Sequence, residues 1–489
     1  MAPRTVTHPA RPARRRADPA RTVAFKALCA VSDRDAYVNL LLPALLRDSG
    51  LTGRDAALAT ELAYGTLRGQ GSYDAILAVC SDRDLDRIDP PLRQVLRLGA
   101  HQLLATRIGA HAAVATSVDL AKDVSGPRPA GFVNAVLRKV ATRDFEAWLE
   151  IAAPGRDDDL TGHLSVAYSH PRWIVDALSE ALGEDPASGL AETEAVLAAD
   201  GERPRVTLCA VPGLADPAEL IAAGAAPGQW SPFAAVLAEG DPAQIAAVAQ
   251  GRAAVQDEAS QLAALALARA DVAGGPGPAG ARWLDMCAGP GGKARLLAGL
   301  AAAGEADRAD GTREADRTAG ARLLAADLRL HRAGLLRGAL ASASGAAVVT
   351  ADGIAPAWRR SAFDRVLADV PCSGLGALRR RAEARWRRSP ADITALGPVQ
   401  RALLAAALDS ARPGGVVAYV TCSPHLAETR DVVTSVLAGR DDTEVLDAPA
   451  VLPEVPGLRC PDPHPEFAQF WPHRHGTDAI FVALLRRTG

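Results

Sequence analysis

Lysine is nearly missing from this chain. Of 54 lysine and arginine side chains, only Lys26, Lys122, Lys139 and Lys293 are lysine. Arginine in its place, with abundant alanine, marks a genome-level compositional bias, and a lysine that persists against it invites a local explanation. Also missing is any Cys-x-x-Cys pair, because Cys29, Cys80, Cys209, Cys287, Cys372, Cys422 and Cys460 are scattered. That spacing argues against a zinc site or a disulfide framework, so no metal is expected, and it suits a reducing cytoplasm. Hydrophobic residues make up 48% of the chain, yet no apolar run approaches the ~18 residues of a membrane span, and no membrane partner is expected. A net charge of −3 gives no global basic field. The basic, proline-rich opening MAPRTVTHPARPARRRADPART has no apolar stretch to act as a signal peptide. Residues 1–20 read as a disordered basic tail, with contact to nucleic-acid phosphate as the sharper alternative.

A length of 489 residues is enough for a large buried core and roughly two to four domains. Residues 21–145 carry helical spacing only. Val23, Ala27, Leu28 and Val31 follow it, as do Val95, Leu96, Leu98, Leu103 and Leu104, and a compact all-α bundle is the expected fold. Residues 146–250 are mixed, with a strand expected at 204–208 and helices at 216–223 and 242–248, and they read as a small α/β connector. Residues 251–489 alternate strand and helix. Short apolar runs at 282–286, 323–326, 347–350, 365–368 and 416–420 are bounded by turn residues. Helical patterns follow at 294–302, 328–340, 399–411 and 426–437, and 480–485 supplies a last strand. Such alternation predicts a Rossmann-like α/β domain, a parallel sheet covered on both faces. Two segments interrupt the rhythm: a flexible linker by composition at 271–280 and a solvated surface insertion at 303–320.

In an open α/β sheet, ligands bind outside the carboxyl ends of the strands. The first of these strands runs into Cys287, Ala288, Gly289, Pro290, Gly291, Gly292 and Lys293, whose glycines let the backbone approach a ligand closely. A glycine-rich turn alone is weak evidence. The second strand ends in Asp327, where a carboxylate can accept from the two hydroxyls of a ribose. The third ends in Asp352, placed to accept from an adenine amino group. Each aspartate could instead cap the following helix, but both occurring in order after the glycine turn favours a ligand. Ala294 follows Lys293, so the Gly-Lys-Ser/Thr of a magnesium–triphosphate site is absent. An adenosine-bearing cofactor without phosphates fits better.

The fourth strand ends Asp369-Val370-Pro371-Cys372-Ser373-Gly374, and the fifth Tyr419-Val420-Thr421-Cys422-Ser423-Pro424. If these strands pair, at ~4.8 Å, both thiols face one crevice. Isolated cysteines are usually buried hydrophobes; two at matching strand ends suggest chemistry. Carbon-5 of cytosine is a poor nucleophile, but a thiolate adding to carbon-6 makes the ring an enamine able to attack a sulfonium methyl group. The carbon-5 proton must then leave so that the thiol can be eliminated. Asp369 is the candidate acid to hydrogen-bond cytosine N3 and offset the charge on the ring.

The segments CAGPGGK (287–293), DVPCSGLG (369–376), VTCS (420–423), VQDEASQL (255–262) and FWPHRHGTDAIF (470–481) resemble the Fmu/Sun family of RNA 5-methylcytosine methyltransferases. The resemblance implies S-adenosylmethionine as cofactor, held by Cys287–Lys293, Asp327, Asp352 and Asp369. It further implies Cys422 as nucleophile, Cys372 as the thiol that assists product release, and Lys293 beside the reacting base. Departures are visible: the family commonly has Ala at Gly289, Thr at Ala294, and Glu-Asn-Glu where this chain reads Glu428-Thr429-Arg430. ELAYGTLR (61–68), LRLGAHQLL (96–104) and FVNAVLRKV (132–140) resemble the RNA-binding domain of the antitermination factor NusB. The combination resembles the subgroup that modifies small-subunit ribosomal RNA, a cytoplasmic task of rRNA processing.

Arg379, Arg380, Arg381, Arg385, Arg387 and Arg388 surround Trp386 just after the Pro-Cys loop. Arginines with an interleaved aromatic can grip phosphate and stack on a base; a solvated basic helix is the blander alternative. The target base must be unstacked to reach a thiol, so a loop, bulge or unfolded rRNA is the expected substrate. Methylation of DNA or tRNA cytosine is one rival, and a non-catalytic RNA-binding or assembly factor another. The Thr-Cys thiol and the NusB-like region count against DNA, and the full chemical set counts against a non-catalytic role.

Overall fold

The computed structural model describes residues 17–34, 36–185, 187, 189–274, 280–303 and 321–489. Most of the basic tail, nearly all of the 303–320 insertion and half of the 271–280 linker lie outside the described residues. Contacts divide the chain into two units, Met1–Pro171 with Arg381–Glu383, and Arg172–Arg380 with Ala384–Gly489.

The first unit is helical: α1 (Pro19–Arg34), α2 (Val38–Ser49), α3 (Gly53–Arg68), α4 (Gln70–Cys80), α5 (Pro90–Ala105), α6 (Ala110–Ser125), α7 (Ala130–Val140), α8 (Phe145–Ala152) and α9 (Leu160–Ala167). The last two stand in residues that the sequence pattern placed in the connector. Local chemistry explains the ends. Pro90 and Pro91 open α5, where a helix leaves amides unpaired anyway, and Gly50 closes α2 at φ 68°. Asp144 and Asp159 start α8 and α9 by accepting from the amides of Ala147 and Gly162. Leu28, Leu62, Ile76, Leu96 and Leu137 fill the core, and Arg97 is neutralised by two bonds to Asp74 at 2.7 and 2.6 Å. The segment Arg381–Glu383 belongs here: Ala382 joins that core, and Glu383 accepts from the Val38 amide at 3.1 Å.

The second unit begins with α10 (Arg172–Leu182), α11 (Ala191–Gly201), β1 (Val206–Ala210), α12 (Pro217–Ala222), β2 (Ala226–Pro227), β3 (Ala234–Leu237), α13 (Ala246–Ala249) and β4 (Ala253–Val255). Its strands form an antiparallel sheet in the order β2-β3-β1-β4. Then follow α14 (Glu258–Arg269), β5 (Arg282–Asp285), α15 (Gly292–Ala303), β6 (Arg322–Asp327), α16 (Leu330–Ala339), β7 (Ala346–Thr350) and β8 (Phe363–Asp369). The chain closes with α17 (Ala384–Arg387), α18 (Pro390–Ser410), β9 (Ala411–Thr421), α19 (Arg430–Leu437), β10 (Thr443–Leu446), β11 (Ala468–Gln469), α20 (Pro472–His475) and β12 (Phe481–Arg487).

The large sheet has the order β10-β12-β9-β8-β5-β6-β7, with β11 beside β12. β7, β6, β5, β8 and β9 are parallel, as expected, but β12 runs antiparallel to both its neighbours, β9 and β10, so the sheet is mixed. β12 is reached from β10 through a long loop rather than a covering helix, which frees it to enter reversed. Side chains alternate between two cores. Leu367, Val416, Ala418, Val420, Val482 and Leu484 face α14 and α15, whereas Val366, Ala368, Val417, Tyr419, Phe481 and Ala483 face α18 and α19. β5 sits in the middle, with β6 and β7 on one side and β8 and β9 on the other. The loops leaving β5 and β8 therefore part company, and a crevice opens there at the carboxyl ends.

Candidate active site

The glycine loop bridges β5 to α15. Gly289 and Gly291 have φ of 54° and 102°, which side chains disfavour. At Gly291 a Cβ would also come within 2.7 Å of the Ala339 methyl group, so glycine lets the loop pack onto α16. Asp327 at the end of β6 fastens the loop: one oxygen accepts from the Gly289 amide at 3.1 Å and the other from the Arg329 amide at 2.8 Å. It thus acts as a capping carboxylate and still has lone pairs to offer a ligand. Asp352 similarly accepts from the Ile354 amide at 2.9 Å.

Lys293 extends from the first turn of α15 to Asp369 at the end of β8, Nζ to Oδ2 2.8 Å, closing the gap between the two diverging loops. Burial works against the Lys293 ammonium, but Asp369 outweighs it and, with Cys422 and Asp285, holds the lysine above its ordinary value. Sequence reasoning gave no role to Asp285, the last residue of β5. It is fully buried, and neither carboxylate oxygen makes a well-formed hydrogen bond. Its carboxyl is pushed up to about 8, by burial first and then by Asp369. Burial and then the charges of Asp285, Asp369, Asp327 and Asp352 keep the Cys287 thiol well above its usual range, so it stays neutral.

β8 and β9 pair directly, with Asp369 opposite Val420. Cys372 follows shortly after the end of β8 and Cys422 immediately after β9, and their sulfurs lie 3.3 Å apart. The Gly376 amide donates to the Cys422 carbonyl at 2.9 Å, and Ser373 Oγ lies 3.2 Å from Ser423 Oγ, so the two loops hold each other. The Cys372 thiol is held well above its ordinary value, first by its hydrogen bond with Cys422, then by burial. Glu428, noted in the sequence only as part of a departure, is buried beneath both loops and accepts from the Ser373 amide at 2.8 Å. An acidic residue soon after a catalytic strand was the available signal.

The residues around Trp386, expected to grip RNA, differ in where their side chains go. Arg379 is buried and donates to Asp478 at 2.9 Å, Asp257 at 2.8 Å and the Gly476 carbonyl at 2.7 Å. Arg380 shares the same two carboxylates. Arg385 is fully buried and donates to the Asp200 carbonyl at 2.7 Å. Arg388 donates to the Ser373 carbonyl at 3.0 Å and so braces the Pro-Cys loop. Arg381 and Trp386 are the outward-facing members, and the Arg381 guanidinium lies 5.5 Å from the centre of the Tyr37 ring.

Comparisons with known proteins agree with this architecture. The family described as 16S rRNA methyltransferase RsmB/F matches residues 277–486, and the NusB family matches residues 18–142. A Mycobacterium tuberculosis H37Rv protein named as a methyltransferase is 49% identical over 482 residues, 97% of this chain and 98% of that protein. Ribosomal RNA small subunit methyltransferase B of Pseudomonas putida is 33% identical over 482 residues, 95% of this chain and 98% of its own. Among solved structures, PH0851 shares the fold with a TM-score of 0.73 at 20% identity, over 96% of this chain and 99% of that one.

Proposed function

The chain belongs to the family of 16S rRNA methyltransferases RsmB/F, and from that premise we propose that it transfers a methyl group from S-adenosylmethionine to carbon-5 of a cytosine in small-subunit ribosomal RNA. The observation that carries this reading is the pair of thiols 3.3 Å apart, set beside Lys293 and Asp369 at the ends of two neighbouring strands. We place the activity in the cytoplasm, where a reducing environment keeps such thiols reduced.

The residues fit the cofactor. Asp327, Asp352 and Asp369 gather around the glycine loop, and their carboxylates accept from hydroxyls and amines while repelling phosphate. That donor set suits a cationic, phosphate-free adenosine compound, with Asp327 taking the ribose hydroxyls and Asp352 the adenine amino group. The backbone at Gly289 is open, since a Cβ there would meet only the Cys287 carbonyl at 3.9 Å. When bound, S-adenosylmethionine supplies a sulfonium methyl group open to attack by a carbon nucleophile.

Cys422 makes carbon-5 such a nucleophile. Its thiolate adds to carbon-6 of cytosine, moving electron density onto carbon-5 and the ring nitrogen N3. Asp369, held in place by Lys293, shares a proton with N3 as charge builds there. After carbon-5 is methylated, its proton passes to water, the carbon–sulfur bond breaks, the ring double bond re-forms, the proton shared with N3 returns to Asp369 and Cys422 departs as thiolate. Cys372 adjoins the departing sulfur and assists that release. The NusB-like helices supply an RNA-binding module; Arg381 offers phosphate an exposed cation, and Trp386 offers a base an exposed ring.

The test is methyl transfer by the full chain from labelled S-adenosylmethionine to unfolded 16S rRNA, beside DNA of matching sequence. Nucleoside analysis should find the label in 5-methylcytidine from RNA. Label in another nucleoside, or in DNA alone, overturns the reading.

A further inference from the structure

One buried acid beneath the two thiols has no part in these steps. Glu428 is fully buried, and its Oε1 accepts from the Ser373 amide at 2.8 Å and from Gln400 Nε2 at 3.1 Å. Its Oε2 accepts from the Ser373 hydroxyl, and its main-chain oxygen from the Tyr419 hydroxyl at 2.8 Å. Gln400 in turn donates to the Pro371 carbonyl at 3.0 Å. Pro371 and Ser373 flank Cys372, and Ser373 meets Ser423, the neighbour of Cys422, through their hydroxyls at 3.2 Å. A single carboxylate therefore ties both sides of the Cys372 loop to the loop that carries Cys422. A buried acid at such a place is expensive unless fully bonded, and this one is bonded on both oxygens.

We propose that Glu428 is a positioning residue that decides which cysteine attacks: through Ser373 its carboxylate fixes Cys372 against Cys422, and its negative charge beside Cys372 leaves the charge of the thiol pair to settle on Cys422. The charged surroundings are lopsided in that sense. Glu428 acts on Cys372; Arg388, bonded to the Ser373 carbonyl, is the opposing cation there, and the thiol is held up despite it. The Lys293 ammonium interacts with Cys422, with Asp369 and Asp285 behind it. Glu428 also adds to the hydrogen bond and burial that hold the Cys372 thiol up. A like charge close to a thiol disfavours its thiolate, and the thiolate is the nucleophile. The inference rests on the reading of Cys422 as the attacking thiol.

Iodoacetamide labelling of the full chain across a pH series, with each cysteine followed by peptide mass spectrometry, tests it without RNA or methyl transfer. In the unaltered protein Cys422 should be labelled ahead of Cys372 at neutral pH. Glu428→Gln keeps the size and most hydrogen bonds but removes the charge. It should raise Cys372 labelling about tenfold relative to Cys422, and leave the Cys422 profile in place. Glu428→Asp keeps the charge and should restore the original order. An unchanged ratio in a folded Glu428→Gln protein overturns the proposal. So does Cys372 reacting first in the unaltered protein, a measurement that stands even if the Gln variant fails to fold. Failure of the carbon-5 reading is seen separately, as missing 5-methylcytidine, and leaves the order of the thiols to be read on its own.

Discussion

The sulfurs of Cys372 and Cys422 lie 3.3 Å apart although 50 residues separate them along the chain. Parallel pairing of β8 with β9 brings them together, in a register that sets Asp369 opposite Val420. The proposed reaction uses that proximity: one thiol bonds to the base while the other helps it leave.

The two roles differ in kind when each thiol is removed. Cys422→Ala should abolish both methylation and any covalent protein–RNA adduct. Cys372→Ala should still permit attack but stall afterwards, leaving the protein attached to RNA. A denaturing gel with labelled RNA separates the outcomes, because only a covalent bond survives it. The double variant should form no adduct. An adduct from Cys422→Ala and none from Cys372→Ala would exchange the roles.

Asp327 fastens the glycine loop and is the acceptor assigned to the ribose. Asp327→Ala should weaken S-adenosylmethionine binding by about tenfold to a hundredfold, the effect of losing hydrogen bonds worth ~1.5–3 kcal/mol. Calorimetry on the folded variant reads this directly, and unchanged affinity would remove Asp327 from the cofactor site.

Asp285 should make stability depend on pH. Its carboxyl is pushed up to about 8 in the folded protein, against about 3.9 in an unfolded chain. Between those values the native state keeps a proton that the unfolded state has lost, so this contribution is complete below about pH 4 and is lost as pH rises through about 8. Asp285→Asn cannot titrate. In urea denaturation without cofactor, its stability relative to the unaltered protein should rise from pH ~5 to pH ~9, by a few kcal/mol at most. A difference that does not change with pH would show that Asp285 is already ionised in the native state.

Arg379 and Arg381 stand two residues apart and should behave oppositely. Among the described residues, Arg379→Ala leaves Arg380 as the one cation paired with Asp257 and Asp478. It should destabilise the fold by ~3 kcal/mol, the lower end for breaking a buried pair, and leave the salt dependence of RNA binding intact. Arg381→Ala should do the reverse, reducing the slope of log affinity against log salt by ~0.7–0.9. Equal effects of the two on that slope would return both to the same surface.

By itself the sequence determined the five parallel strands and the last strand of the large sheet, and which residues sit at the strand ends. Those features depend on local pattern: a run such as 416–420 between turn residues can form a buried strand, and it does so within β9. Cys372, Cys422, Asp327 and Lys293 were legible because each follows such a run or the turn behind it. Tertiary structure decided what depends on distant partners. The inward turn of Arg379 is set by Asp257 and Asp478, 122 and 99 residues away, and no local pattern announces them. The reversed entry of β12 beside β9 follows from the path of the chain after β10. Asp285 acquires its proton, and Glu428 its grip on both cysteine loops, only once packing has excluded water from them. Desolvation and close approach across the sheet are properties of the folded chain, and residue type fixes only what each group can do once it is there.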